Sequence, residues 1–396
     1  MAHSQIAMNG NDHGSKVVLF LGAGASAFAG YCTFVDFPNL LFDVDLRQKE
    51  QLPPLFDSSA RILNAVRSSL QRGGISTTHD NFLWRLNGYR TFLDLNSKDD
   101  VLQRILQGND RLFDLEICTQ QAVRQMSSTT VIHYSANRVA AAKQTNPDVF
   151  ERMRRVFHLY HSLARLNGKG GFLPVFTTNY DMLVEDLAAE FNSVEQSNLQ
   201  LVNGIPNRTD HEASWHEKDY QRAEVRGTGI HLRRLHGCAC WFYHEWGDSK
   251  VYFHRRDAAA LSPDKLCAMY PGKEVERGAG PHGSGFRTLF RSLLECQLVV
   301  FIGFSFRDDD VMHLLLKAMD ERRDGPKILV VDALYTHSDV RNRLEIATKR
   351  SQFPFRLPQK NGDLRSINLS FGEGDSDIKV LEACQELLKC KNKNRT

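Results

Sequence analysis

The sequence predicts a doubly wound, Rossmann-like α/β fold, a parallel sheet carrying a large helical insertion, on three observations. Short β-rich apolar runs without alternation recur at 16–21, 172–177, 295–303 and 327–331. A run with no polar face suits a strand covered on both sides, as in a parallel sheet. Helical patterns separate these runs, which is the alternation that builds such sheets. The first run, KVVLFL, ends in Gly22-Ala23-Gly24-Ala25-Ser26, a glycine-rich turn of the kind that joins a strand to a helix in nucleotide-binding folds.

Taken in order, residues 1–15 are polar and are expected to form a disordered tail. Val17 to Val35 is a stretch of 19 residues without a charge. Its glycines, and a leader without Lys or Arg, fit neither a spanning helix nor a signal peptide. No membrane association is expected, and the chain reads as cytoplasmic. From about 37 to 170 the texture is Leu- and Arg-rich with apolar residues three and four apart, in segments such as 58–70, 80–95, 99–105, 114–126 and 148–166. This is read as a helical module interrupting one domain over 16–335. Phe172 to Thr177 returns to strand, followed by a helix over 181–191. Ile230 to Leu235 reads as a strand and Lys250 to Phe253 as a hairpin edge. Arg277 to Gly285 is a mobile-loop candidate. A helix over 308–322 separates the last two clear strands. The remainder, 336–396, reads as a C-terminal extension with an amphipathic helix over 377–388 and a basic tail.

Composition excludes several classes. The 396 residues are 42% hydrophobic and 24% charged, as in an ordinary globular chain. Lys+Arg number 50 against 47 for Asp+Glu, a net +3. That balance argues against a protein that coats nucleic acid. The eight cysteines include no CxxC, only Cys238-Ala239-Cys240, so neither a paired-cysteine zinc site nor a disulfide framework is indicated and reduced thiols are expected. No GxxxxGK[ST] loop is present, which argues against ATP hydrolysis.

The residue types that carry chemistry sit where strands should end. Glycines at 22 and 24 let a backbone approach a pyrophosphate, and Ser26 can cap a helix or bond a phosphate oxygen. The acidic residue expected about 20 positions further on has poor candidates in Asp43 and Asp45. Thr177-Thr178-Asn179-Tyr180-Asp181 follows the second strand, His236-Gly237 the third, and Gly303-Phe304-Ser305 with Phe306 to Asp310 a later one. Ligands of open α/β sheets bind at such carboxyl ends. Singly, each cluster has a plainer reading: Asn179 and Asp181 as a helix cap, His236 as a turn histidine, Asp308 to Asp310 as first-turn acids.

Their joint order resembles the sirtuin family, the NAD-consuming silent information regulator proteins. The matching pieces are GAGAS at 22–26, TTNYD at 177–181, LHG at 235–237 and GFSF at 303–306, over some 190 residues on either side of the helical module. Three features depart from the deacylases of that family. The zinc ribbon with two CxxC pairs is missing, Thr178 stands where the family has Gln, and the module after the first motif is much longer. The sequence therefore looks like the bacterial sirtuin-like branch of anti-phage defence, represented by Thoeris effectors and sirtuin–HerA pairs, in which the domain destroys NAD.

The resemblance implies a set of roles. Asn179 would orient the nicotinamide ribose and the attacking water, Asp181 would serve the nicotinamide side, and His236 would accept a proton. Gly22, Ala23, Gly24 and Ser26 would cradle phosphate, beside Thr178. Gly303, Ser305 and Asp332 are candidates for the adenosine ribose. NAD+ would be the substrate, with no metal. It further implies an abortive-infection effector that acts as a homo-oligomer or under a HerA-type ATPase or other sensor in trans, meeting nucleic acid only indirectly. An NAD- or ADP-ribose-binding regulator without turnover, a protein deacylase and a conventional dehydrogenase are the alternatives. His158 and His161, Arg152, Arg154 and Arg155, and the tail from Lys389 to Arg395 are read as solvated surface rather than as metal or nucleic-acid sites.

Overall fold

The computed structural model describes residues 16–33, 36–75, 109–168, 171–195, 199–205, 213–216, 229–246, 249–254, 266–268, 280–322, 325–350 and 364–389, with scattered positions between 77 and 89. The segment read as a helix over 99–105, the N-terminal tail and the tail beyond Lys389 lie outside them, as does most of 80–95.

Among the described residues seven strands form a parallel sheet: β1 (Val17–Leu21), β2 (Phe172–Thr177), β3 (Gln200–Val202), β5 (Gly229–Arg234), β9 (Leu298–Ile302), β10 (Lys327–Asp332) and β11 (Leu364–Asn368). Their order is β11-β10-β9-β1-β2-β5-β3. On one side of β1 the chain lays β2, then β3 at the edge, then β5 between them, and it returns to lay β9 on the other side, so the order reverses between β1 and β9. Alternate residues of the buried strands divide two cores. Val17, Leu19 and Leu21 join Leu298, Val300 and Ile302 on one face, while Val18 and Phe20 join Val299 and Phe301 on the other. Both faces are covered, which is why these strands read as unbroken apolar runs.

The first face is covered by the helical module: α1 (Phe37–Phe42), α2 (Val44–Lys49), α3 (Asp57–Arg72), α4 (Asn109–Ser135), α5 (Arg138–Thr145) and α6 (Pro147–Leu166). With it pack α7 (Leu183–Glu195) and α11 (Ser376–Lys389). The second face carries α8 (Gly280–Glu295), α9 (Asp309–Glu321) and α10 (His337–Arg350). Helix α6 starts on Asn146, whose side chain accepts from Val149 N–H, with Pro147 in its first turn. Asn167, just past its end, accepts from Val17 N–H at 2.8 Å and donates to the carbonyls of Val17 at 3.1 Å and Phe172 at 2.7 Å. One side chain thus stitches the starts of β1 and β2.

A smaller antiparallel sheet, in the order β4-β7-β6-β8, comprises β4 (Ala213–Ser214), β6 (Gly237–Trp246), β7 (Ser249–His254) and β8 (Leu266–Ala268). The segment expected as a hairpin edge, β7, lies between β4 and β6. Two further expectations change. The loop candidate over 277–285 instead opens helix α8 at Gly280. Its small residues let the helix sit against the end of β5, where a Cβ on Gly285 would meet Leu235 at 3.1 Å. The pattern after Ser26 does not become an α-helix either: two 3-10 turns, Ala23–Ala25 and Ala27–Ala29, stand there. Within the stretch read as an extension, β11 pairs with β10 in the main sheet. No helix among the described residues is long and apolar enough to cross a membrane.

Candidate functional site

The carboxyl ends of β1, β2, β5 and β9 meet at one edge of the sheet. Gly22 N–H donates to Ile302 O at 2.9 Å and Gly24 N–H to Gly303 O at 3.1 Å, which locks the turn after β1 onto the turn after β9. A Cβ on Gly22 would stand 2.4 Å from Gly303 O, and one on Gly303, whose φ is +60°, would stand 2.3 Å from Ala25 N. The glycines are therefore demanded by the approach of two backbones. The amides of Ala25 and Ser26 also donate locally, to Gly22 O and Ala23 O. Most of the N–H groups expected to cradle phosphate are thus engaged within the protein, and the short 3-10 turns carry little of the dipole of a long helix.

Ser26 caps nothing. Its hydroxyl accepts from Asn179 Nδ2 at 3.1 Å and hydrogen-bonds Asp181. Asn179 Nδ2 also donates to Gly22 O at 2.9 Å, and Asn179 N–H donates to Thr177 Oγ1 at 3.0 Å. Its Oδ1 is buried with no hydrogen-bond partner among the described residues. A buried acceptor left unmatched costs about 1–3 kcal/mol, so this oxygen is kept at a cost to stability. Asp181 accepts from Leu183 N–H at 3.1 Å. Burial pushes its carboxyl above the ordinary range, against the pull of Arg234, Leu183 N–H and Ser26. Thr178 is buried beside them, its N–H on Leu21 O at 3.3 Å.

Beneath this cluster lies a fully buried ion pair. Arg234 makes two bonds to Glu185, Nε to Oε1 at 3.0 Å and Nη2 to Oε2 at 2.6 Å, and a third from Nη1 to Asn179 O at 3.0 Å. It fixes the backbone of the asparagine while keeping positive charge close to Asp181.

His236 follows β5, and Gly237 turns the chain there at φ +80°. Its Nε2 lies 2.8 Å from Oδ2 of Asp308, both side chains partly exposed. Asp308 is the N-cap of α9, its Oδ1 accepting from Val311 N–H at 3.0 Å. Burial alone would raise the Asp308 carboxyl, but the charge and hydrogen bond of His236, with the amides of Val311 and Asp310, hold it below its usual range. The turn leading to it contains Phe306 at φ +54°, a conformation that costs a non-glycine residue about 1–2 kcal/mol. Phe304 and Phe306 pack with Phe20 and Phe301, which holds that turn in place.

The structure brings Gly22, Gly24, Ser26, Asn179, Asp181 and Gly303 into one contact network, with Ala23 and the half-buried Ser305 in its turns. Asp332 stands apart at the end of β10, its Oδ1 accepting from Leu334 and Tyr335 N–H at 2.7 and 3.2 Å. The sequence missed Arg234 and Glu185, which it offered only as strand and helix residues, and the pairing of Asp308 with His236. Among the described residues no group of three or more His, Cys, Asp or Glu could hold a metal ion.

A model of the SIR2-like domain matches residues 174–351. This stretch takes in Asn179, Asp181, His236, Gly303 and Asp308, and begins well after the Gly22 turn. No curated protein matches the chain. Among solved structures, one described as the structural basis for the mechanism and regulation of Sir2 enzymes is 15% identical, with 95% of this chain and 94% of that chain covered and a TM-score of 0.36. A Sir2 homolog–NAD complex is 12% identical, with 95% and 92% covered and a TM-score of 0.40. A mutant Sir2 homologue with ADP ribose is 12% identical, with 96% of each covered and a TM-score of 0.41.

Proposed function

We propose that this chain binds NAD+ across the carboxyl ends of β1, β2, β5 and β9 and hydrolyses its nicotinamide–ribose bond. The observation that carries this is the pairing of an oriented amide, Asn179, whose buried Oδ1 lacks a protein partner, with an imidazole, His236, on the neighbouring strand end. An unmatched acceptor at that place fits a ribose hydroxyl or a water. A pure binder has no need of both groups. The SIR2-like domain match over 174–351 supports the same ligand class.

Cleavage of this bond makes the sugar cationic while the nicotinamide leaves neutral. Asn179, held by Gly22, Ser26 and Arg234, orients the ribose and the water that attacks C1′. His236 takes the proton from that water, so NAD+ and water give ADP-ribose, nicotinamide and a proton. Asp181, beside Ser26, is placed to meet the nicotinamide side or the developing positive charge. Phosphate held at Ala23 to Ser26 must open the local amide bonds described above, and Gly303, Ser305 and Asp332 flank the adenosine side.

Unchecked NAD loss is toxic, so the reading extends to an abortive-infection effector in the cytoplasm. Control then comes from homo-oligomer assembly or from a HerA-type ATPase or other sensor in trans, with the helical module as its contact surface. The test measures NAD loss and ADP-ribose formation by the purified protein beside Asn179→Ala and His236→Ala. Turnover lost by about 10²-fold or more in both variants is expected. Binding of NAD without turnover, with candidate partners present, would replace the hydrolase by a sensor.

A further inference from the structure

The strand order places three spacings between β9 and β5, with β1 and β2 in between, about 14 Å at the usual strand separation. The turns after β5 and β9 nevertheless touch, through His236 Nε2 and Asp308 Oδ2 at 2.8 Å. The strands that lead to Ser26 and Asn179, β1 and β2, lie between them in the sheet. At 2.8 Å a carboxylate oxygen and an imidazole lone pair would repel, so the contact favours a proton on Nε2. In a neutral imidazole that leaves Nδ1 as the nitrogen with the lone pair.

We propose that Asp308 is the positioning residue of this site, holding the His236 ring in orientation and in the Nε2-protonated tautomer, so that Nδ1 is the base. The inference rests on the hydrolase reading and adds a residue to it. Three features fit a built device. Asp308 uses its two oxygens separately, Oδ1 on Val311 N–H and Oδ2 on His236. Helix capping alone would need one, and any of Ser, Thr or Asn could do it. The turn that delivers the carboxylate runs through Gly303 and Phe306, both at positive φ. Four aromatic rings, Phe20, Phe301, Phe304 and Phe306, clamp that turn.

Asp308→Asn separates the two roles. The asparagine oxygen still caps α9 through Val311, which turns its NH2 toward His236 Nε2 and favours the opposite tautomer. The expected result is kcat lowered by about 10²–10⁴-fold, with the KM for NAD within about threefold and a melting temperature lowered by no more than about 2–4 °C. Nitrogen-15 NMR of the imidazole should show protonated Nε2 in the wild type and lose that pattern in the variant. Asp308→Ser, which caps but is too short to reach the ring, should lower kcat comparably. Unchanged kcat or unchanged imidazole nitrogen shifts would overturn the proposal, as would a raised kcat, which would make Asp308 a mask on the histidine. If the wild type hydrolyses no NAD, the hydrolase reading fails, and the nitrogen spectra still decide whether Asp308 sets the ring.

Discussion

On the β1–β2 side of the site Ser26, Asn179 and Asp181 are at most 5% exposed and lie over the buried Arg234–Glu185 pair. Across from them the His236 and Asp308 side chains keep 15% and 14% of their exposure. The two carboxyls respond oppositely: burial raises Asp181, whereas Asp308 is held down despite its burial by His236 and by helix amides. Environments that push two acids apart mark different tasks. The inner wall is dry and over-determined, suited to holding a ribose in one pose. The outer pair is less deeply buried and pairs an acid with an imidazole, suited to moving a proton.

The largest effect should come from breaking the inner wall. Arg234→Met leaves Glu185 buried and unpaired, and denaturant unfolding should show a loss of about 3–5 kcal/mol. An effect near zero would mean that the wall is not held by charge. Next, Gly303→Ala attacks the joint between the walls. Its Cβ would press on the Gly24–Ala25 backbone, so a loss of about 1–3 kcal/mol from overpacking is expected, with left-handed strain added.

The smallest effect separates the two acids by pH. Asp308 has a depressed folded value, so its contribution is present above the ordinary 3.8 and is lost as pH falls through that lower value. His236→Gln should flatten this acid limb, by about 1 kcal/mol at most given the partial exposure of the pair. Asp181 has a raised folded value, so its contribution is present below 3.8 and is lost as pH rises through the raised value. Melting curves of Asp181→Asn should therefore gain on the wild type as pH rises above 3.8. Parallel curves for all three proteins would erase the distinction between the walls.

What the sequence displayed follows the same division. Strands β1, β2, β9 and β10 were legible because they are buried on both faces, and their polar ends were legible because Asn179, His236 and Gly303 interrupt apolar runs. Strand β6 was not, since Gly237 to Phe242 is mostly buried and mixes Gly, Cys and aromatics without alternation. Strand β11 at the sheet edge and the mostly polar α10 hold too few apolar residues to show a period. Gly22 and Gly24 pointed to a close approach but not to its partner: in the structure the neighbour is Gly303. The pairing of Asp308 with His236 joins two turns far apart in the chain, and an acid in a first helical turn looks the same in sequence whether it only caps or also meets a histidine.

Strand β1 has a further consequence during synthesis. It emerges first among the strands, yet its two hydrogen-bonded neighbours are β2 and β9. Asn167, which fastens its first residue, is also made long after it. At roughly 5–20 residues per second on the ribosome, Gly22 to Ser26 wait without their sheet for much of translation. The Gly303 joint cannot form until Gly303 has been made, nor the His236–Asp308 contact until Asp308 has, so truncated products that end before Asp308 carry no assembled site.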